Sequence, residues 1–316
     1  MPLDVLAFYN GLDERARGYT FLQQYGHLIN NIAFFQIPIQ ADGRLTGTPS
    51  RRVINEAHNM GMKVFITVSN LTAKGQFSTP LITRLVRDQA FANLVWRNIR
   101  DMLAVYRCDG VNLDLEKGRA EDRNLFTQLI NQWAQLFRRE NFIVTMDIPA
   151  KTADEPTDVW KGVFDYRALG QIVDGAILMT YEEHWPGSPP GSVASLPWVT
   201  HVLNYALTQI DRQKIYMGLP LYGYDWAGPN QAQVISLRRA TEVARRHGAT
   251  ILWEPNQHSA FFHYDIGGRR HTVYFENIQS ITEKLELAIR RDLRGIAIWE
   301  MNLSYREFWE TLRAYV

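Results

Sequence analysis

Short runs rich in β-branched and aromatic residues alternate along the chain with stretches in which apolar residues recur every three or four positions. The pattern predicts strands over Val5–Tyr9, Asn31–Ile39, Lys63–Ser69, Gly110–Glu116, Phe142–Ile148, Gly175–Tyr181, Lys214–Leu221 and Gly295–Met301. Helices are expected over 50–60, closed by Gly61, and over Thr79–Tyr106 with a break inside it. Others are expected over 121–139, where Leu125, Leu129, Trp133 and Leu136 supply the periodic face, near 165–170, and over 197–210. Eight strands interleaved with helices predict the α/β class and a TIM (β/α)8 barrel spanning residues 1–316. A doubly wound open sheet is the alternative. No Gly-rich fingerprint follows the first strand, which weakens a dinucleotide-binding reading.

One stretch breaks the rhythm. Residues 225–280, between the seventh and eighth strands, are too many for one crossover. A helix over 236–247, a strand over Thr250–Glu254, and a hairpin of Ala260–Ile266 and His271–Phe275 around Gly267-Gly268 predict a small α+β insertion on the barrel. Its aromatic residues suit a modest core of its own.

Composition narrows the classes. The chain has 316 residues, 46% hydrophobic and 21% charged, with a formal net charge of +1. Its arginine pairs are dispersed, so nucleic acid is not an expected partner. The lone cysteine, Cys108, excludes a disulfide-stapled scaffold. No apolar run reaches the ~20 residues of a membrane span. The start, Met1-Pro2-Leu3-Asp4, lacks a basic leader region and reads straight into a strand. The eight histidines show no HxH, HExxH or Cys-partnered spacing, so neither a metal nor another cofactor is expected.

The chemistry concentrates in Asp109-Gly110-Val111-Asn112-Leu113-Asp114-Leu115-Glu116. Alternation along a strand puts Asn112, Asp114 and Glu116 on one face and Val111, Leu113 and Leu115 on the other. In a barrel the apolar set packs against helices and the polar set points inward, where side chains are normally bulky and aliphatic. Burying two carboxylates and an amide there is costly unless they are bonded or neutralised. The C-terminal end of a strand is also where barrel enzymes place catalytic groups. Two adjacent acids raise one pKa, which suits a general acid. No second carboxylate is obvious on an opposite wall, whereas ordinary glycosidases need two opposed ones. The exception is cleavage assisted by the acetamido oxygen of the substrate itself.

The run DGVNLDLE resembles the DGxDxDxE motif of family-18 glycoside hydrolases, whose members include chitinases. MTY at 179–181 is similar to the family's Met-x-Tyr motif, and Trp299 in GIAIWEMN to the tryptophan that ends its eighth strand. The resemblance implies that Glu116 protonates the leaving oxygen, Asp114 orients the acetamido group, Tyr181 donates to the acetamido oxygen, and Trp299 stacks under the sugar. It further marks Tyr9, Asn112, Met179, Glu182, His184, Trp185 and Tyr222 as candidate substrate contacts. Two departures stand out. Asn112 occupies the place of an inner Asp, so a proton relay from Asp114 deeper into the barrel is expected to stop there at a hydrogen bond. Glu182 stands where chitinases usually carry Asp.

The loop Tyr181-Glu182-Glu183-His184-Trp185 through Gly191, and GLPLYGYDW at 218–226, resemble bacterial spore cortex-lytic N-acetylglucosaminidases. The wall-binding LysM repeats that those enzymes often carry are not seen here. The expectation is a retaining hydrolase of β-1,4 bonds at N-acetylglucosamine in peptidoglycan, particularly spore cortex. It is expected to act as a monomer at the spore, the cell wall or outside the cell. A chitinase or chitobiase on chitin oligosaccharides, and a non-catalytic lectin-like barrel, are the alternatives.

Overall fold

A computed structural model describes residues 2–228 and 231–316. Eight parallel strands close into a barrel. In chain order they are β1 (Asp4–Tyr9), β2 (Asn31–Pro38), β3 (Lys63–Ser69), β4 (Gly110–Asp114), β5 (Ile143–Pro149), β6 (Gly175–Met179), β7 (Ile215–Pro220) and, as the last strand of the chain, β13 (Gly295–Trp299). Strand β13 pairs with both β1 and β7, which removes every edge. An open sheet is thereby excluded.

Between these strands lie α1 (Gly18–Tyr25), α2 (Arg51–Asn59), α3 (Thr79–Arg87), α4 (Gln89–Tyr106), α5 (Arg123–Arg139), α6 (Tyr166–Ile172) and α7 (Leu196–Ala206). The break expected within 79–106 is Asp88. It ends α3, and its carboxylate accepts from the Phe91 amide to start α4. Ser50, Ser78 and Ser195 cap α2, α3 and α7 in the same way. In α5 the buried stripe is Phe126, Leu129, Ile130, Trp133 and Phe137. Leu125, expected on that stripe, lies exposed beside it.

Strand alternation sorts the interior. Val5, Ile66, Val111, Leu113, Val144, Met146 and Leu178 face the helices in the main core. Leu6, Phe8, Ala33, Phe65, Ile177, Tyr216 and Ala297 fill the barrel itself. Strands four, six and eight stop two residues before the expected Glu116, Tyr181 and Met301. At β6 the cause is a turn, in which the amides of Thr180 and Tyr181 donate to the carbonyls of Leu178 and Met179, each at 2.8 Å. Glu116 and Tyr181 therefore sit just past the ladders, where the chain leaves the barrel, while Asp114, Met179 and Trp299 end them.

The remaining strands form a separate antiparallel sheet in the order β10–β11–β12–β8–β9. They are β8 (Tyr222–Trp226), β9 (Ala232–Ser236), β10 (Leu252–Glu254), β11 (Ser259–Ile266) and β12 (Arg269–Phe275). Helix α8 (Leu237–His247) lies on this sheet, its Ala240, Val243 and Ala244 clustering with Phe262, Val273 and Phe275. The sheet begins at Tyr222, ahead of the expected 225, because β8 follows β7 after the single residue Leu221. Gly267 and Gly268 both have positive φ, 57° and 73°, as a two-residue hairpin turn requires. Helices α9 (Ile278–Arg290) and α10 (Arg306–Leu312) complete the fold. Among the described residues no helix is long and apolar enough to cross a membrane.

Candidate active site

Asn112, Asp114 and Glu116 share the inward face at the C-terminal end of β4, with 0%, 3% and 8% of their surface exposed. The carboxyl groups of Asp114 and Glu116 share a hydrogen bond. The Glu116 backbone is pinned from β3: Asn70 Oδ1 accepts from the Glu116 amide at 2.9 Å, and Asn70 Nδ2 donates to its carbonyl at 2.8 Å. The remaining carboxylate oxygen, Oε2, accepts from the indole N–H of Trp160 at 3.1 Å. Trp160 itself is 38% exposed, in the loop between β5 and α6, and stands edge-on to Phe77.

A third buried acid, Asp147, lies on β5. The register pairs Asn112 with Thr145 and Leu113 with Met146, which brings Asp114 level with Asp147 on the neighbouring strand. Asn112 bridges the two strands. Its Nδ2 donates to Asp147 Oδ2 at 2.7 Å, and its Oδ1 accepts from the Thr145 hydroxyl at 2.8 Å. Asn112 is thus a fully buried strut, not a residue at the cleft surface.

Electrostatics follow from the crowding. Burial pushes Asp114 up to about 7, with the bond to Glu116 opposing. Burial is also the first cause raising Glu116, followed by the charge of Asp114, their shared bond and the charge of Asp147; the Trp160 donor pulls the other way. Asp147 is raised by burial and by Asp114, against the Asn112 bond. No basic side chain among the described residues pairs with any of the three. Such a cluster holds protons near neutral pH and titrates as a unit.

The facing wall is aromatic. Trp299 is partly exposed at the end of β13, wedged edge-on by Phe8 and Phe35 at ring separations of 5.2 Å and 4.8 Å. Tyr181 lies nearly parallel to it, 6.5 Å away and tilted by 22°. Burial raises the Tyr181 hydroxyl well above its ordinary value, with Asp147, Asp114, Glu116 and Glu182 adding to it in that order, so the group stays a neutral donor. Met179 is partly exposed at the end of β6, two positions along the inward face from Ile177.

Gly218 on β7 makes room for Tyr181. A Cβ there would lie 2.5 Å from the Leu178 carbonyl oxygen and 2.9 Å from Tyr181 Cε1. Gly218→Ala is therefore expected to destabilise the fold by about 1–3 kcal/mol, the usual overpacking cost, and to lower turnover by shifting Tyr181. Thermal melting together with steady-state kinetics checks both; an unchanged Tm with unchanged turnover would refute the close fit.

The other expected contacts fall elsewhere. Tyr9 is fully buried and faces the helices, packed against Phe34, with its hydroxyl donating to the Asp13 carbonyl at 2.6 Å. At this end of β1 it is Phe8 that faces inward. Tyr222 and Tyr224 of β8 both donate to Glu182 Oε1, the second at 2.8 Å. Glu182 is exposed as a residue, with φ of +66°, but its carboxylate end reaches back to these two buried hydroxyls. Burial of that end raises its pKa against the pull of both bonds. The extra methylene relative to Asp supplies this reach. His184 and Trp185 ride on the following loop. His184 Nδ1 lies 3.0 Å from the Pro189 carbonyl, and the half-exposed Trp185 ring covers Gly187.

Sequence reasoning missed Asn70, Asp147, Trp160 and Tyr224. Asp147 carried a signal, because Thr145 and Asp147 alternate in the fifth strand just as the polar set does in the fourth. A groove of about 960 Å³ runs along the ends of β2 and β3, lined by Gln36, Gln40, Thr46, Ser69, Asn70 and Leu71 among others; none of the acids lines it, and it meets them only through Asn70, which holds the Glu116 backbone. Among the described residues no group of three or more His, Cys, Asp or Glu is arranged to hold a metal ion.

Known proteins resemble this chain over most of its length. The profile of "Glycosyl hydrolases family 18" matches residues 6–303. A Bacillus subtilis cortical fragment-lytic enzyme is 34% identical over 283 residues, covering 87% of this chain; the chain spans only 65% of that relative's length. Among solved structures, a chitinase from Chromobacterium violaceum superposes with a TM-score of 0.92 at 27% identity, covering 98% of both chains. The Bacillus megaterium spore cortex-lytic enzyme superposes with a TM-score of 0.91 at 25% identity, covering 100% of this chain and 75% of its own. With its acid-bearing fourth strand inside the matched region, the chain belongs to glycosyl hydrolase family 18.

Proposed function

We propose that this chain is a retaining β-N-acetylglucosaminidase that cleaves β-1,4 bonds in peptidoglycan of the spore-cortex type, using the substrate's acetamido group as nucleophile. The observation that carries the reading is the arrangement of the acids. Asp114 and Glu116 are bonded to each other on one wall, and the wall opposite is the aromatic pair Tyr181 and Trp299. A retaining enzyme with its own nucleophile needs two carboxyls ≈ 5–5.5 Å apart across the bond; Asp114 and Glu116 instead stand side by side on one wall, which favours a nucleophile supplied by the sugar.

Glu116 gives its proton to the glycosidic oxygen as that bond to C1 breaks. The acetamido oxygen closes on C1, and the positive oxazolinium ring is stabilised by Asp114 and oriented by Tyr181. Trp299 provides a flat apolar face for the sugar. Glu116, now ionised, removes a proton from water as the water opens the ring at C1. Two inversions retain the configuration, and Glu116 ends with its proton restored.

The similarity to enzymes named for spore cortex supports the peptidoglycan substrate and an extracytoplasmic site of action. A chitinase reading is the alternative, favoured by the fit to the Chromobacterium violaceum chitinase along the full chain. Mass analysis of products from purified cortex fragments and from chitin oligomers separates them. Cortex fragments are expected to be cut with the higher kcat/KM. A preference for chitin oligomers would favour the alternative, and binding of both without product release would leave only a lectin-like role.

A further inference from the structure

Asp147 has no part in the scheme above, yet it is 4% exposed and its Oδ1 has no hydrogen-bond partner among the described residues. An unpartnered buried carboxylate oxygen is costly, and a barrel interior would readily accept an aliphatic residue there. Three features place it with the chemistry. It stands level with Asp114 on the adjacent strand. Its other oxygen is fastened by Asn112, which is itself held by Thr145, so it cannot drift away. And its charge bears on Asp114's partner Glu116 and on Tyr181.

We propose that Asp147 is a positioning residue for the reaction: its carboxylate, locked beside Asp114, repels negative charge from the Asp114–Glu116 pair and so retains the shared proton that Glu116 delivers to the leaving sugar. Asn112 does not take up a proton, but it holds in place a carboxylate that can. This proposal rests on the catalytic reading of Glu116.

The groups facing Asp147 and the pair are few. Strand β4 and the residues just past it supply Asp114 and Glu116, and β3 with the residue after it supplies the neutral Thr67, Ser69 and Asn70. The end of β6 supplies Tyr181 and Glu182, and the loop after β5 supplies Trp160. The nearby cations are engaged elsewhere: Lys117 lies over the Trp160 ring at 5.2 Å, and Lys151 donates to Asp154 and the Phe164 carbonyl. Among the described residues nothing positive offsets Asp147, so removing its charge acts directly on the pair.

The test is the pH dependence of kcat/KM on chitotetraose and on cortex fragments, for Asp147→Asn, Asn112→Asp/Asp147→Asn and Glu116→Gln. Losing a like charge favours ionised Glu116. The alkaline limb of Asp147→Asn should therefore move to lower pH by about one unit, the scale on which a neighbouring charge shifts a carboxyl. Activity at the acidic side should be largely kept. The double variant returns a carboxylate to the same cluster and should move the limb back toward the wild-type position.

An unmoved limb with activity lowered evenly at all pH values would overturn the proposal, since loss of packing alone has that result. Should Asp147→Asn fail to fold, the double variant decides: a limb near the wild-type position supports the assignment, and one displaced to low pH overturns it. Activity surviving in Glu116→Gln would instead sink the catalytic reading itself. An inactive Glu116→Gln beside an unmoved Asp147→Asn limb would sink only the role of Asp147.

Discussion

Glu116→Gln is expected to lower hydrolysis by at least ~100-fold, the low end of what a positioned general acid contributes, while oligosaccharide binding changes little. The amide keeps the shape of the side chain, can still accept from Trp160, and leaves Asn70's two backbone bonds untouched. The transferable proton is lost. Its loss cannot be covered by a neighbour: Asp114 is 3% exposed behind Glu116, and Asp147, level with Asp114 on the next strand, is fastened by Asn112. The aromatic floor of Trp299 and Tyr181 is unaffected, so substrate should still stack there. Single-turnover product release and calorimetric binding of a chitin oligomer measure the two quantities separately. Turnover within a few-fold of wild type would remove Glu116 from the chemistry, and binding lost together with turnover would mean that the substitution disturbed the pocket.

The second large effect concerns stability and lies away from the acids. Lys284 on α9 and Glu276, just past β12, are both buried. The ammonium donates to Oε1 at 3.0 Å and Oε2 at 2.9 Å, and Ser280 adds a hydroxyl at 2.6 Å. Even with these donors, burial raises the Glu276 pKa. Lys284→Met fills the space and strands the carboxylate, which should destabilise the fold by about 3–5 kcal/mol, the usual penalty for breaking a buried pair on one side. Replacing both partners by apolar residues, as in Glu276→Leu/Lys284→Met, should recover most of that loss, because no unpaired charge remains. Denaturant unfolding of wild type, single and double variants reads the difference. Equal losses in the single and the double would show that packing rather than charge pairing dominates there.

Much of this molecule was legible before any coordinates. Eight strands and their helices follow from residue periodicity because a parallel barrel buries each strand on both faces and each helix on one. The inward set Asn112, Asp114 and Glu116 followed from strand alternation, since polar residues inside a barrel violate the packing rule that governs the rest. Strand ends were less legible. The ladders stop at Asp114, Met179 and Trp299 because the chain turns away there, and turn geometry leaves little trace in a hydrophobic pattern. Trp160 was invisible, since it reaches Glu116 from an aperiodic loop 44 residues on in sequence. Tyr9 went the other way. Position along β1 was readable, but which of Phe8 and Tyr9 turned inward depended on where the strand entered the barrel. The first strand of the small sheet was missed for a similar reason, since Tyr222–Trp226 follows β7 after the single residue Leu221, too closely for a separate strand to stand out.

The hydroxyls of Tyr222 and Tyr224 meeting on Glu182 give the loop after β6 and the small sheet a common anchor. For anyone recombining parts among such barrels, the seam is therefore not at the ends of the sheet. A transplanted five-stranded module would arrive with two orphaned phenols unless residue 182 travelled with it, so the exchangeable cassette has two segments, distant in sequence and indivisible in practice.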